Sequence, residues 1–249
     1  LYNGSLHWKV DLPLANRLRA DLTGNIFAAS DDTLYLAVEG QCLRIDMETG
    51  KQKTPFDVPQ LIEGDKHQWG YTVVVDDLLI GTGQKPTAAF RRFEGKGVAV
   101  ATWSPPEHVT SDYLFAVDRN RGGLLWSHRS GVIPNSAIAV GEGHVFVVES
   151  RSSKASGNST GKVALPDLVA GDGARLMALD LRTGKKAWEV RPELDGLQRI
   201  IFLSYSEGVV LITGSFVKNR RSMHLLMAYD AKTGRNLWSL DRSTLFNDI

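Results

Sequence analysis

The sequence predicts an all-β chain of similar four-stranded antiparallel units, on three observations. A skeleton Asp-x3-Gly-x3-Trp recurs at Asp118, Gly122, Trp126, at Asp180, Gly184, Trp188 and at Asp230, Gly234, Trp238. Each Asp ends a short apolar run ("YLFAVD", "RLMALD", "LLMAYD") and each Trp stands in the next run, so the segment between them reads as a hairpin turn. A second turn signal lies between consecutive copies, at Asp31-Asp32, Asp76-Asp77, Gly141-Glu142-Gly143 and Glu207-Gly208, flanked by β-branched or aromatic residues. Two hairpins per copy make four strands, and such units recurring at about 45–50 residues plus insertions read as the blades of a β-propeller.

The first copy, "LYNGSLHW", keeps only Gly4 and Trp8 and predicts a terminal strand over residues 1–13, so the chain reads as beginning inside a repeat. The second, "LRIDMETGKQKT", keeps Asp46 and Gly50 but has Thr54 where the Trp belongs. Complete units are expected to end near residues 59, 131, 192 and 241. Residues 84–112 and 151–174 are longer than a hairpin needs and are placed between the second and third strands of their blades.

The repeated residues have physical roles in such a unit. Glycine at the end of Asp-x3-Gly takes a positive φ without a Cβ penalty, while the Asp side chain accepts hydrogen bonds from the turn amides. Asp46, Asp118, Asp180 and Asp230 are therefore turn-builders, not catalytic groups. The Trp is expected between blades with its indole N–H on a backbone carbonyl, and Ala116, Ala178 and Ala228, two before each Asp, leave room for the ring.

With 249 residues, 43% hydrophobic and 23% charged, the chain reads as one β-propeller segment spanning 1–249. A formal net charge of +1 gives no global attraction to nucleic acid or anionic membrane. The local basic groups Lys85, Arg91, Arg92, Lys96 and Lys218, Arg220, Arg221 stand beside Gly- or Ser-bearing loops and read as solvated charge. Cys42 is the single cysteine, placed by its alternating neighbours in a buried strand. No apolar run reaches the ~18 residues of a membrane-spanning helix.

Catalytic and metal patterns are not found. His7, His67, His108, His128, His144 and His224 show no zinc spacing, and "SYSEG" at 204–208 lacks the first Gly of a nucleophile elbow. Gly81-Thr-Gly83 and Gly141-Glu-Gly143 lack the following helix that a phosphate site needs, and Asp172 between glycines reads as a loop instead of a calcium site. The candidate interaction surface is the first insertion, through Phe90, Arg91, Arg92, Phe93 and Trp103. The competing reading packs Phe93 and Trp103 onto their own blade.

The string Ala-x-Asp-x-x-Thr-Gly-x-x-x-Trp, whole in "ALDLRTGKKAW" and "AYDAKTGRNLW", resembles the PQQ-like, quinoprotein-type β-propeller repeat. Members include quinoprotein alcohol dehydrogenases and the non-enzymatic outer-membrane assembly lipoprotein of the BamB type, with an architecture like that of WD40 and YVTN propellers. The copy at Ala116 departs in having Arg121 for Thr, and the copy at Asp46 lacks the Ala and the Trp. "AIAVGEGHVFVVES" with "LMALDLRTGKKAWEV" is similar to uncharacterised PQQ-like repeat proteins of planctomycete-type bacteria.

Such propellers close with seven or eight blades, so the resemblance implies about half a ring, with the remaining blades of a parent protein as neighbours. It also implies two functions. A dehydrogenase of this type binds pyrroloquinoline quinone and Ca²⁺ under a ring of two adjacent cysteines, which a single-cysteine chain lacks. The expectation is therefore no cofactor and a binding or scaffolding module with a protein partner, in a periplasmic, extracellular or envelope-associated protein. The alternative is part of a quinone- and calcium-dependent dehydrogenase whose ligands lie partly outside the chain.

Overall fold

The computed structural model describes residues 6–11, 24–88, 107–171 and 173–243. Blade I is β1 (Phe27–Ala29), β2 (Thr33–Val38), β3 (Gln41–Asp46) and β4 (Gln52–Asp57), paired in that order. Blade II follows as β5 (Gln68–Val75), β6 (Leu78–Gln84), the long β7 (Glu107–Asp118) and β8 (Leu124–His128), with a two-residue β9 (Ile133–Pro134) also on β7. Blade III begins with β10 (Ile138–Gly141) and β11 (His144–Ser150). It is then interrupted by α1 (Ser153–Ser156), β12 (Lys162–Ala164) and α2 (Leu165–Val169), and ends with β13 (Ala174–Asp180) and β14 (Lys186–Val190). Blade IV is β15 (Ile200–Ser206), β16 (Val209–Lys218), β17 (Arg221–Asp230) and β18 (Asn236–Ser243).

All blade pairings are antiparallel, and both insertions fall between the second and third strands of their blades. The insertion of blade III does not stay on its own blade. Its β12 adds a strand to blade II, with Lys162 opposite Val109 and Ala164 opposite Glu107, so the two blades share one sheet edge.

The turns between third and fourth strands form as the residue types dictate. Asp180 Oδ1 accepts hydrogen bonds from the amides of Arg182 and Thr183, at 3.2 and 2.8 Å, and from Thr183 Oγ1 at 2.7 Å. The Gly184 amide donates to the Asp180 carbonyl at 2.8 Å, and Gly184 has φ +67. Asp230 with Lys232 and Thr233 repeats the set, Asp46 takes the amide and hydroxyl of Thr49, and hydrogen bonds from the threonines hold these carboxyls below the usual aspartate range. At Asp118, where Arg121 replaces the threonine, the amides of Asn120 and Arg121 alone supply the donors. The hairpins at Glu142-Gly143 and Glu207-Gly208 use two consecutive left-handed residues, the type I′ geometry that matches strand twist.

The core lies between blades. Leu78, Ile80 and Leu114 of blade II pack on Val145, Val147 and Met177 of blade III, while Phe146, Val148 and Leu176 on the other face of blade III pack on Ile201, Ile212 and Met227 of blade IV. Each central sheet is thus buried on both faces.

The repeated tryptophans join these layers at one end. Trp126 donates its indole N–H to the Leu181 carbonyl of the next blade at 2.9 Å, Trp188 to Ala231 at 2.9 Å, and Trp8 to Met47 at 2.8 Å. Each ring rests on the next turn glycine: a Cβ on Gly184 would stand 2.6 Å from Trp126, and one on Gly234 would stand 2.6 Å from Trp188. Ala116, Ala178 and Ala228 are the cross-strand partners of Trp126, Trp188 and Trp238, small enough for the ring to lie across them.

Two sequence expectations need correction. Residues 6–11, the described part of the expected terminal strand, belong to no sheet; they deliver Trp8 onto the Gly50 turn. In blade I the ring is not lost but moved: Arg44 fills the alanine position, a register shift follows, and Phe56 opposite Cys42 lies on Gly122 instead. Phe56 has no N–H, so this junction lacks the indole bond; the Arg44 guanidinium sits 4.2 Å over its ring.

Candidate functional site

The two ends of the blades differ. At the turn end, basic residues just after Asp118, Asp180 and Asp230 reach the first hairpin of the preceding blade. Arg182 pairs with Asp76 and Asp77, Lys232 with Glu142 at 3.2 Å, and Arg119 with Asp32 at 3.9 Å. These exposed pairs contribute little energy singly but fix which turn meets which hairpin.

The opposite end carries the insertions and the buried polar groups. There a cavity of about 380 Å³ opens where the first strands of the blades converge. Phe27 of β1, Tyr71 of β5, Ile138 of β10 and Phe202 of β15 supply its walls, and Gly24, Asn25, Asn135 and Ser136 complete the lining. It therefore sits on the line shared by the innermost strands, with one apolar residue from each blade.

A buried neutral network supports it. Ser111 Oγ donates to Asn135 Oδ1 at 2.6 Å, Asn135 Nδ2 to Gln84 Oε1 at 3.1 Å, and the Tyr71 amide to Thr82 Oγ1 at 2.8 Å. Gly70 is small for this reason: a Cβ there would come within 2.9 Å of the Thr82, Asn135 and Gln84 polar atoms. Buried polar groups that satisfy one another hold a single geometry, since each lost bond leaves an unpaired partner.

Two carboxylates, half-buried Asp112 and fully buried Glu149, serve as fasteners at this end. Asp112 accepts hydrogen bonds from His67 Nε2 and Lys85 Nζ, both at 2.9 Å, at the root of the first insertion. Glu149 of β11 has no exposed surface and meets His128 Nε2 at 2.8 Å, Ser130 Oγ at 2.6 Å and Arg151 Nε at 3.3 Å, tying blade III to the end of blade II. Burial works against ionisation of both carboxyls, but the histidine bonds, joined by Lys85 or by Ser130 and Arg151, outweigh it and leave both below the usual range. Among the described residues no group of three or more His, Cys, Asp or Glu is placed to hold a metal ion.

Of the residues singled out in the sequence, Trp8, Asp46, Gly50, Asp118, Gly122, Trp126, Asp180, Gly184, Trp188, Asp230, Gly234 and Trp238 are all at or beside the turn end, away from the axial cavity. Gly4, Asp172 and the candidate surface Phe90, Arg91, Arg92, Phe93 and Trp103 lie outside the described residues. Phe27, Tyr71, Asn135 and Phe202 carry no sequence signal, because residues in four separate strands come together only through the blade arrangement. Glu149 does carry one: a carboxylate inside "HVFVVES" is a charge in a buried strand and so requires partners.

A comparison with known families decides the identity of the repeat. Residues 110–247, more than half of the chain, match the family model described as outer membrane protein assembly factor BamB. The chain belongs to this PQQ-type repeat family. No curated protein sequence matches it significantly. Among solved structures it is similar to a europium-containing methanol dehydrogenase, at 13% identity and TM-score 0.51 over 88% of this chain and 42% of that one. A quinohemoprotein alcohol dehydrogenase from Comamonas testosteroni gives 13% and 0.50 over 92% and 36%, and a chain of the mitotic checkpoint complex 8% and 0.51 over 96% and 62%. At such identities the likeness shows the fold alone, a β-propeller. The chain spans less than two thirds of each of these relatives. The Trp-on-glycine junctions are thus the PQQ-type repeat expressed as interblade contacts.

Proposed function

We propose that the chain is a non-catalytic binding and scaffolding module in an exported or envelope protein, receiving a segment of a protein partner at the axial cavity. The observation that carries this reading is the cavity lining. Four apolar or aromatic walls and the neutral groups of Asn25, Asn135 and Ser136 offer shape and hydrogen bonds, with no acid or base among the described lining residues. The carboxylates of Asp112 and Glu149 at the same end are committed to His67, Lys85, His128 and Arg151. A quinone bearing carboxylates calls for cations and Ca²⁺ calls for anionic oxygens, and the described lining supplies neither. Membership in a family whose model is described by an outer membrane assembly factor supports the envelope setting.

The test has two arms. A photo-crosslinking residue at Phe27 is expected to trap a discrete partner in the envelope of the native host, while the same residue at exposed Leu124 of β8 does not. Calorimetric titration of pyrroloquinoline quinone with Ca²⁺ is expected to give no saturable heat. One-to-one binding there, lost on Phe27→Arg, would overturn the scaffold reading in favour of the dehydrogenase.

A further inference from the structure

The junction of blades III and IV differs in chemistry from that of blades II and III, and strand register makes the two comparable position by position. In blade III, Leu179 stands opposite Lys186, Met177 opposite Glu189 and Arg175 opposite Glu149. In blade IV the same places hold Tyr229 opposite Asn236, Met227 opposite Ser239 and Leu225 opposite Gly214. The charged residues of blade III fill their junction with ion pairs: Glu189 meets Lys186 at 2.6 Å, Arg151 at 3.1 Å and Arg175 at 3.5 Å. Shorter or apolar side chains take all four charged positions in blade IV.

The space left behind is a cavity of about 450 Å³ between the end of β14 and the face of β17 and β18. Its size is that of a small-molecule site. It lies on the last strands of the two blades, whereas the axial cavity lies on the first.

Val190 and Met227 give it apolar walls, and its polar groups are mostly donors. Tyr229 is 4% exposed, and burial pushes its phenol up, so the proton stays in place. That O–H donates to Met227 Sδ at 3.7 Å, a weak acceptor. The Asn236 amide spreads over the Ala228 and Trp238 carbonyls and Ser239 Oγ, at 3.4, 3.5 and 3.3 Å. Exposed Arg235 stands at the mouth beside Gly234, and Arg191, donating to the Gly171 carbonyl at 2.9 Å, adds a second positive charge. Glu193 is the one carboxylate among the described lining residues.

From this lining we infer that the rim cavity binds a small organic acid, an apolar body bearing one carboxylate. The body lies on Val190 and Met227, while the carboxylate accepts hydrogen bonds from the Tyr229 hydroxyl and the Asn236 amide and faces the Arg235 guanidinium.

Methionine-methyl NMR of the whole chain, with Met227 assigned through Met227→Leu, reads the floor of the cavity. Phenylacetate is expected to shift the Met227 resonance saturably, and uncharged phenylacetamide to bind severalfold more weakly. Arg235→Gln should remove most of that difference. Asn236→Lys with Ser239→Glu, which recreates the blade III ion pair, is expected to abolish the shift while the β-sheet circular dichroism is kept. Trp238, 49% exposed on the other, open face of β18, controls for adsorption to apolar surface, and Trp238→Ala leaves the affinity unchanged. No saturable shift in the unaltered chain, equal affinity for acid and amide, or loss of binding on Trp238→Ala overturns the inference. The acid–amide comparison needs no variant, so it decides the matter even if the double variant fails to fold.

Discussion

The indole of Trp188 lies on Gly234 of the following blade and gives its N–H to the Ala231 carbonyl at 2.9 Å. The same relation holds for Trp126 with Gly184 and Leu181, so the most conspicuous residues of the repeat are interblade joints. Each joint combines a ring packed between blades, buried for Trp126 and half-buried for Trp188, a satisfied donor and a glycine that admits the ring.

Truncation should separate joints from the open face. Trp126→Ala or Trp188→Ala is expected to cost roughly 3 kcal/mol, as for other large aromatic truncations. Trp238→Ala in the same 249-residue chain should stay within about 0.5 kcal/mol, because the ring has little to lose. Urea unfolding of the three variants, with equal m-values, checks this.

The turn glycines should be intolerant for two separable reasons. Gly234→Ala must strain a backbone at φ +71 and push a methyl into the Trp188 ring, at an expected cost of about 1–3 kcal/mol above the φ term alone. Gly64→Ala, at φ +81 with nothing within 4 Å, pays only the backbone term, roughly 1 kcal/mol. Equal losses at the two sites would refute the ring contact.

The Glu149 clasp predicts acid sensitivity with a definite sign. Its folded value lies below the unfolded one, near 4.5, so the clasp stabilises fully above that pH and the contribution disappears as pH falls through the folded value. Glu149→Gln should flatten the stability-against-pH curve in this window and, by leaving His128 and Arg151 without their buried anion, cost about 3 kcal/mol at pH 7. Chemical denaturation across the acid range measures both effects.

Cys42 should be silent in the native state. It has no exposed surface, and burial pushes its thiol up to about 12, so thiolate is scarce at neutral pH. A thiol reagent is expected to label it only at the rate of unfolding; fast labelling at pH 8 would contradict the burial.

The repeat was legible because its chemistry is local. Asp-x-x-Thr-Gly closes its own turn through bonds within five residues, so Asp180, Thr183 and Gly184 mean the same thing in any surroundings. The alternation around Cys42 and the turn pairs Glu142-Gly143 and Glu207-Gly208 are equally local, and together these short-range signals specify four antiparallel blades and place both insertions. The remaining features depend on neighbouring blades. Arg44 displaces the ring of blade I, and Phe56 rather than residue 54 becomes the joint, an outcome set by the register against β3 and by the Gly122 turn of another blade. β12 leaves its own blade for β7, and Phe27, Tyr71, Ile138 and Phe202 meet although they are far apart in the chain. Local turn energetics can be written in a few adjacent residues, whereas a cavity on the axis exists only once the blades have packed and their first strands have converged.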